Sequence, residues 1–424
     1  MSALPASFSP VSFDRDAATR IMRRCRELRA ISASPGAYTR LYLTDEHRRA
    51  ADLISHWMRQ AGLAARMDAA GNVIGRIDGT DATAPALVLA SHLDTVRDAG
   101  TYDGQLGVVT AIEAAAALIR RADKEPLPFP LEVQAYADEE GTRFHTMLLG
   151  SGFVTGLEDA SVLAKADSEG VTISEAMKGF GLTPERIGDA RRQAGDFRAY
   201  IEVHIEQGPV LEAEGLPLGT VTAIAGQIRA VVRVRGMAGH AGTVPMAMRR
   251  DALAASAEAI LAIEAVAKAG ADLVATVGEI QAGPGASNVI AGETRFTLDL
   301  RSGNGLAKAA AFEEIERRLR EIGTARRVVF EIEVGSNTGA TACDPGLIEC
   351  IDEACEAVQG RSLHLLSGAG HDAIALAGLC PIGMIFVRCE GGISHNPAEN
   401  ITEADAGAAF AALLHAAQTV IRRG

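Results

Sequence analysis

Apolar positions recur along this chain with two different periods, and each change of period marks an element. From Asp14 to about Ala61 they fall at helical spacing (Ile21, Leu28, Leu53, Ile54, Met58) against charged neighbours, with Tyr38–Thr44 as an interruption. Thr44 is the expected N-cap of a helix Asp45–Gln60, and Gly62 its stop. Ala65–Ile77 reads as a strand pair turning at Gly71-Asn72. The run ALVLA at 86–90 is apolar without alternation, as in a strand buried on both faces. An Ala-rich helix over Val108–Arg121 and a second apolar strand, Leu131–Ala137, follow it. Strand, helix, strand is the βαβ unit of a parallel sheet.

Residues 155–198 read as mixed helix and loop, and Ala199–His204 then alternates like a strand. After Gly215 the character changes. Gly219–Val234 is strand-rich, and a helix over Arg249–Lys268 follows. Strands at Leu273–Ile280 and Thr294–Leu300, a helix at Lys308–Ile322 and a strand at Val328–Val334 come next. These elements predict a compact inserted α+β domain. From Cys343 the chain returns to helix, then a glycine-rich turn at Ser367–Asp372, the strand Pro381–Val387 and an amphipathic helix Glu403–Ile421. The expected organisation is therefore an α/β, mixed-sheet domain made of 1–217 and 332–424, with 218–331 inserted.

Composition narrows the classes. With 424 residues, 48% hydrophobic and 22% charged, this is ordinary globular material, long enough for two or three domains. A net charge of -13 argues against nucleic acid or an anionic membrane as partner. The first residues lack a basic region followed by an apolar core, so no secretory leader is expected. No apolar run approaches the ~18–20 residues of a spanning helix. Six cysteines without a CxxC pairing (Cys25, Cys343, Cys350, Cys355, Cys380, Cys389) fit reduced thiols in a cytoplasmic protein.

Chemistry-bearing residues gather at the ends of the expected strands. His92 closes the 86–90 run, and Asp103 follows eleven positions later. Glu139 and Glu140 follow the second strand, His204 ends the third, and His395 lies beyond Pro381–Val387. Each alone has a plainer reading: a hydrogen-bonded histidine, or a solvated acidic turn. Together, imidazole and carboxylate without thiolate suit Zn or Mn. Asp103 offers two oxygens and so can bridge two ions; one of Glu139 and Glu140 suffices as ligand, leaving the other as general base.

The segments SHLDTV…YDG, DEEGTRF, HIEQGPVLE, GMAGHAGTVPM…RRDA, SNVI…LDLR, GAGHDA and GISHNPAE resemble, in order, the motifs of the M20 metallopeptidase-like amidohydrolases. The likeness runs from about Thr39 to Glu403 and is nearest the hydantoinase/carbamoylase branch. That resemblance implies a ferredoxin-like inserted domain serving as lid and dimerisation surface, and hence a homodimer. It implies two divalent ions per subunit, one held by His92, Asp103 and His204, the other by Asp103, Glu140 and His395. Glu139 would be the general base and His240 would steady the oxyanion. Asn288 and Arg301 would hold a substrate carboxylate, Arg301 through its bidentate fork. Gln207, Gly370 and His371 would line the substrate pocket. Asp94 and Asp372 are candidates to orient imidazoles. Two departures stand out: Ala291 where the family usually has proline, and Arg388-Cys389 where a Pro-Ser pair is common, a change expected to alter the pocket wall.

The implied substrate is a small ureido carboxylate. Arg97–Gly104, Ala137-Asp138, Leu149–Ser151 and Thr39–His47 resemble the allantoate branch more than the carbamoyl-amino-acid branch. The expected reaction is hydrolysis of allantoate to ureidoglycine, then ureidoglycolate, with ammonia and carbon dioxide released. The alternatives are an N-carbamoyl-L-amino-acid hydrolase or β-ureidopropionase and, more remotely, a metal-free binding protein of the same fold. Peptide hydrolysis is disfavoured because the wider family generally has an acid at the position of His204. A cysteine nucleophile is disfavoured because no Cys lies in an activating motif.

Overall fold

The computed structural model describes residues 14–122 and 126–423. The leader expectation, read from residues 1–16, lies outside the described residues for all but the last three of them. The chain forms two compact units: one from the chain up to Thr222, Cys343–Leu365 and the chain from His371 onward, the other from Ala223–Ala342 with Leu366–Gly370.

In the larger unit, Asp14 caps the helix Arg15–Arg29 and Thr44 caps Asp45–Gln60, each side chain accepting a backbone N–H of the first turn. Strands Ala64–Met67 and Val73–Ile77 form the expected hairpin. The sheet then continues through Leu131–Tyr136, Ala86–His92, Phe197–Ile205 and Ile382–Val387 to Leu218–Ile224. Leu131–Tyr136, Ala86–His92, Phe197–Ile205 and Ile382–Val387 run mutually parallel. The helix Gln105–Ala122 joins Ala86–His92 to Leu131–Tyr136 as the βαβ reading requires.

Side chains alternate across these strands. Leu87, Leu89, Leu131, Val133, Ala199, Ile201 and Val203 enter the main apolar core with the helices. The intervening positions, among them His92, Gln134, Tyr136, Tyr200, Glu202 and His204, are equally buried but mostly polar. This second set carries the chemistry.

The helix Glu403–Arg423 corrects one expectation. By length and averaged hydropathy it could cross a membrane, but 83% of that window is buried inside the protein. Phe410, Leu413, Leu414 and its many alanines belong to the core.

The smaller unit is α+β. Its antiparallel sheet runs Ile280–Gly283, Glu293–Ser302, Gly226–Arg235, Val329–Asn337, with Leu273–Thr276 also on Glu293–Ser302. Ile228, Ala230, Val232 and Val234 face a core shared with the helices Ala252–Ala269 and Gly305–Arg326, while Arg229, Arg233 and Arg235 face outward. The single strand expected over Leu273–Ile280 is two strands. Both pair with Glu293–Ser302, and the chain bulges between them where Glu279 and Thr297 exchange hydrogen bonds. The expected end at 331 falls inside the strand Val329–Asn337, which this sheet needs; the unit runs to Ala342.

Candidate metal centre

Strand order reverses at Ala86–His92. The chain leaves it through a helix to Leu131–Tyr136 on one side and later returns as Phe197–Ile205 on the other. Open α/β sheets bind ligands outside the carboxyl ends of their strands at such a point. His92 is the last residue of its strand, His204 is next to last in Phe197–Ile205, and Glu139, Glu140 and His395 lie past the ends of their strands.

The structure brings these residues together around Asp103. Asp103 Oδ1 lies 3.0 Å from His204 Nε2 and 3.5 Å from His92 Nε2. Asp103 Oδ2 lies 3.2 Å from His395 Nε2, which is 3.4 Å from Glu140 Oε1. Potential ligand atoms of His92, Asp103 and His204 fall within 4.8 Å of one another, as do those of Asp103, Glu140 and His395. Asp103 is common to both groups, one oxygen to each.

Main-chain carbonyls orient the buried imidazoles. His92 Nδ1 is 3.2 Å from Asp94 O, and His204 Nδ1 is 2.9 Å from Ile205 O. Each Nδ1 therefore donates, and each ring turns Nε2 towards Asp103, where its lone pair becomes available to a cation once Nε2 gives up its proton. The two Nε2 atoms stand 3.4 Å apart. Lone pairs of two imidazoles and a carboxylate converging on one point suit a cation between them. Gly104, at φ +70°, makes room for this: a Cβ there would lie 2.4 Å from the His92 ring.

Charge is concentrated here. Burial pulls the His92 and His204 imidazoles down, yet their bonds to Asp103 leave both above the ordinary range. Burial pushes Asp103 up, but His204, His395 and His92 hold it well below the usual carboxylate range. Bonds to Asp103 and Glu140 lift half-exposed His395 to about 10. Burial, reinforced by Glu140 and Asp372 against His92, raises Glu139 well above the carboxylate range. Glu139 Oε1 is buried with no hydrogen-bond partner. Asp138, Gln207 and His395 hold left-handed backbone (φ 58°, 57° and 53°), strain of the kind that clusters at functional sites.

Residues 88–419 match peptidase family M20/M25/M40. The chain belongs to this family. It is 41% identical over 420 residues to allantoate deiminase 2 of Glycine max, covering 92% of this chain and 87% of that one. It is 40% identical over 397 residues to the N-carbamoyl-L-amino acid amidohydrolase of Geobacillus stearothermophilus, covering 93% and 97%. The crystal structure of a hydantoinase/carbamoylase family amidase from Burkholderia ambifaria matches with a TM-score of 0.86 at 35% identity, covering 95% of this chain and 97% of that one. This M20 chain is accordingly an amidohydrolase.

Several residues around the M20 centre make contacts that the sequence did not indicate. The Asp94 carboxylate accepts the backbone N–H groups of Glu139 (3.0 Å) and Glu140 (3.2 Å), so it fixes the acidic turn, while its Oδ1 stands 3.7 Å from His92 Nδ1 and its main-chain carbonyl 3.2 Å from the same atom. The Gln207 amide donates to Asp103 Oδ2 at 2.9 Å and to Ser394 Oγ at 3.0 Å. His371 packs edge-on against His204, with ring centroids 4.5 Å apart. Burial and His204 push it well below the ordinary range, so its ring is neutral. Arg388 pairs with Asp405 at 2.7 Å, and Cys389 is buried against the Gly208 carbonyl. All six cysteines are free and buried, and their thiols are raised, which removes the thiolate a nucleophile needs.

Two positions escaped the sequence reading. Gln105, fully buried, donates to the carbonyls of Asp94 (3.2 Å) and Asp103 (2.7 Å), closing the loop that carries His92 and Asp103. Glu399 accepts the backbone N–H groups of Tyr102 (2.7 Å) and Asp103 (3.1 Å); burial and Asp103 push its carboxyl up to about 7. The run NPAE after His395 was a motif match, but nothing in it announced that contact.

The remaining candidates sit on the smaller unit, with Gly370 at the end of its last segment. His240 pairs with Val289 in a two-stranded ribbon, and Asn288 O accepts the Ala241 N–H, so His240 and Asn288 are neighbours. His240 Nδ1 accepts the Gly242 N–H at 3.0 Å, which leaves the proton of a neutral ring on the exposed Nε2. Arg301 already grips Asp299 bidentately (2.8 and 2.9 Å) and donates to Gly368 O, leaving one N–H on each terminal nitrogen. It lines a cavity of about 710 Å³ with Arg229, Thr276, Thr297 and Asp299. Ala291 is buried, and its carbonyl accepts the Ala252 N–H, so this turn is held without proline.

Proposed function

We propose that this amidohydrolase uses two divalent ions, Zn or Mn, to hydrolyse the ureido C–N bond of a small carboxylate, with allantoate as the substrate. The observation that carries the reading is the division of Asp103: Oδ1 to His92 and His204, Oδ2 to His395 beside Glu140. His92, Asp103 and His204 would hold one ion, and Asp103, Glu140 and His395 the other. When bound, such a pair polarises a carbonyl and lowers the pKa of a water.

The reading gives the protein's own residues the following parts. Glu139, buried and anchored by Asp94, takes a proton from the attacking water and delivers it to the leaving nitrogen. The raised affinity of its carboxyl for a proton suits both halves of that task. His240 presents Nε2–H to the carbonyl oxygen as charge develops on it. Arg301, with Asn288, holds the substrate carboxylate, while Gln207, Gly370 and His371 line the pocket. One ureido group and one water give an amine, carbon dioxide and ammonia. Allantoate thus yields ureidoglycine, and a further water and loss of ammonia give ureidoglycolate. No acyl-enzyme and no redox partner are required.

The 41% and 40% identities to relatives of both substrate types support a second reading, an N-carbamoyl-L-amino-acid hydrolase with the same centre. The Arg97–Gly104 segment favours allantoate. The reading also takes the enzyme to be a cytoplasmic homodimer. Ammonia release from allantoate, ureidoglycolate and N-carbamoyl-L-amino acids, assayed side by side with Mn or Zn added, tests the substrate. Turnover of carbamoyl amino acids with none of allantoate overturns the choice, and no release from any of them overturns the class.

A further inference from the structure

Glu399 is buried, 3% exposed, four residues beyond His395. Its Oε1 accepts the N–H groups of Tyr102 and Asp103, and its Oε2 lies 3.1 Å from Ser394 Oγ. The same Ser394 hydroxyl is 3.0 Å from Asp103 Oδ2. Glu399 also rests against Gly100, where an added Cβ would stand 2.1 Å from its Cδ and 2.4 Å from its Cβ. One carboxylate therefore joins the main chain of the bridging Asp103 to the loop that carries His395, and Gly100, two residues before Tyr102, makes room for it.

The two ligand groups depend on this contact unequally. His92 and His204 are strand residues whose rings are fixed by Asp94 O and Ile205 O. His395 lies outside any strand on left-handed backbone, with its side chain 49% exposed. Its position relative to Asp103 Oδ2 is set through Ser394 and Glu399. We infer that Glu399 is a positioning residue for the second ion alone: it holds Asp103 and His395 in register and leaves the His92–Asp103–His204 group intact. The inference rests on the two-ion reading above.

The test titrates the ion-free full-length enzyme with Mn²⁺ by calorimetry and counts retained ions by elemental analysis, alongside circular dichroism and thermal melts. Wild type should show two binding events. Glu399→Ala should weaken one of them by roughly 10- to 100-fold, the range for partners that orient metal ligands, with the other nearly unchanged. Gly100→Ala, which displaces the Glu399 side chain without touching its chemistry, should do the same. Glu399→Gln should restore two-ion binding, because the amide oxygen accepts the same two N–H groups and its nitrogen can donate to Ser394 Oγ. Folded Glu399→Ala and Gly100→Ala variants that keep both ions at wild-type affinity, or lose both together, overturn the inference. Loss of fold in both variants makes Glu399 a folding residue and also overturns it. A wild type that binds no ion defeats the two-ion reading instead, a separately visible result.

Discussion

His92 and His204 point their Nε2 atoms at each other across 3.4 Å, and each has committed its Nδ1 to a main-chain carbonyl. Neither ring can turn away without breaking that bond. With Asp103 Oδ1 they form a fixed set that holds positive charge, carried by protons on Nε2 or by an ion that replaces them. Chelation should therefore lower the thermal midpoint, and adding Mn or Zn back should restore it. An ion at 100 times its Kd contributes about 2.7 kcal/mol to the folded state. His204→Ala should blunt the response. Identical wild-type melting curves with and without chelator would count against an ion at this place.

Glu139 and Glu140 are adjacent but are held differently. Glu140 Oε1 faces His395, whereas Glu139 is buried with Oε1 lacking a hydrogen-bond partner. Glu139→Gln keeps the shape and removes the ability to carry the proton. It should lower kcat by about 10²- to 10⁴-fold, the usual contribution of a general base, with ion stoichiometry unchanged. Loss of an ion in Glu139→Gln would reassign it as a ligand.

The His and acid cluster of this centre was legible because it obeys strand geometry. An apolar run, a helix and a second apolar run imply parallel strands, and parallel strands bring their carboxyl ends to one edge, so His92, Glu139, Glu140 and His204 could be grouped in advance. The supporting half follows no period. Glu399 meets Tyr102 across 297 positions, and Gln207 meets Ser394 across 187. A buried carboxylate that accepts main-chain N–H groups leaves no trace in hydrophobic patterning. The Arg97–Gly100 loop, read from the sequence as a marker of substrate, has a second part in the fold, because Gly100 also seats Glu399. Asp94 was noticed, but the turn it holds is made by residues 45 and 46 positions away.

His240 on its short ribbon is set up as a donor. Because Nδ1 accepts from Gly242, the neutral ring keeps its proton on Nε2, the exposed side. His240→Ala should reduce kcat by about 10²- to 10³-fold, as removal of one oxyanion donor does, with KM changed far less. The ions should stay bound, since His240 belongs to neither ligand group. An unchanged kcat would remove His240 from the mechanism.

His47 gives the fold a pH dependence separable from the centre. It is fully enclosed between Tyr42 and Phe180, its Nδ1 accepts the Leu43 N–H at 3.0 Å, and its Nε2 meets Gly71 O at 3.1 Å. The Leu43 bond requires the neutral ring; the Gly71 bond favours the charged one, but burial outweighs it and lowers the pKa from 6.5 to about 4. The unfolded chain binds a proton at this residue below about pH 6.5, whereas the folded chain refuses it until about pH 4. The stability contributed is thus fully present above pH 6.5 and is lost as pH falls towards 4, about 3 kcal/mol across the window at 1.36 kcal/mol per unit. His47→Gln offers a donor towards Gly71 O without a titrating ring. Its stability relative to wild type, followed by denaturant unfolding at fixed ion concentration, should improve steadily between pH 6.5 and 4. A constant difference across that range would mean that His47 is not held neutral by its enclosure.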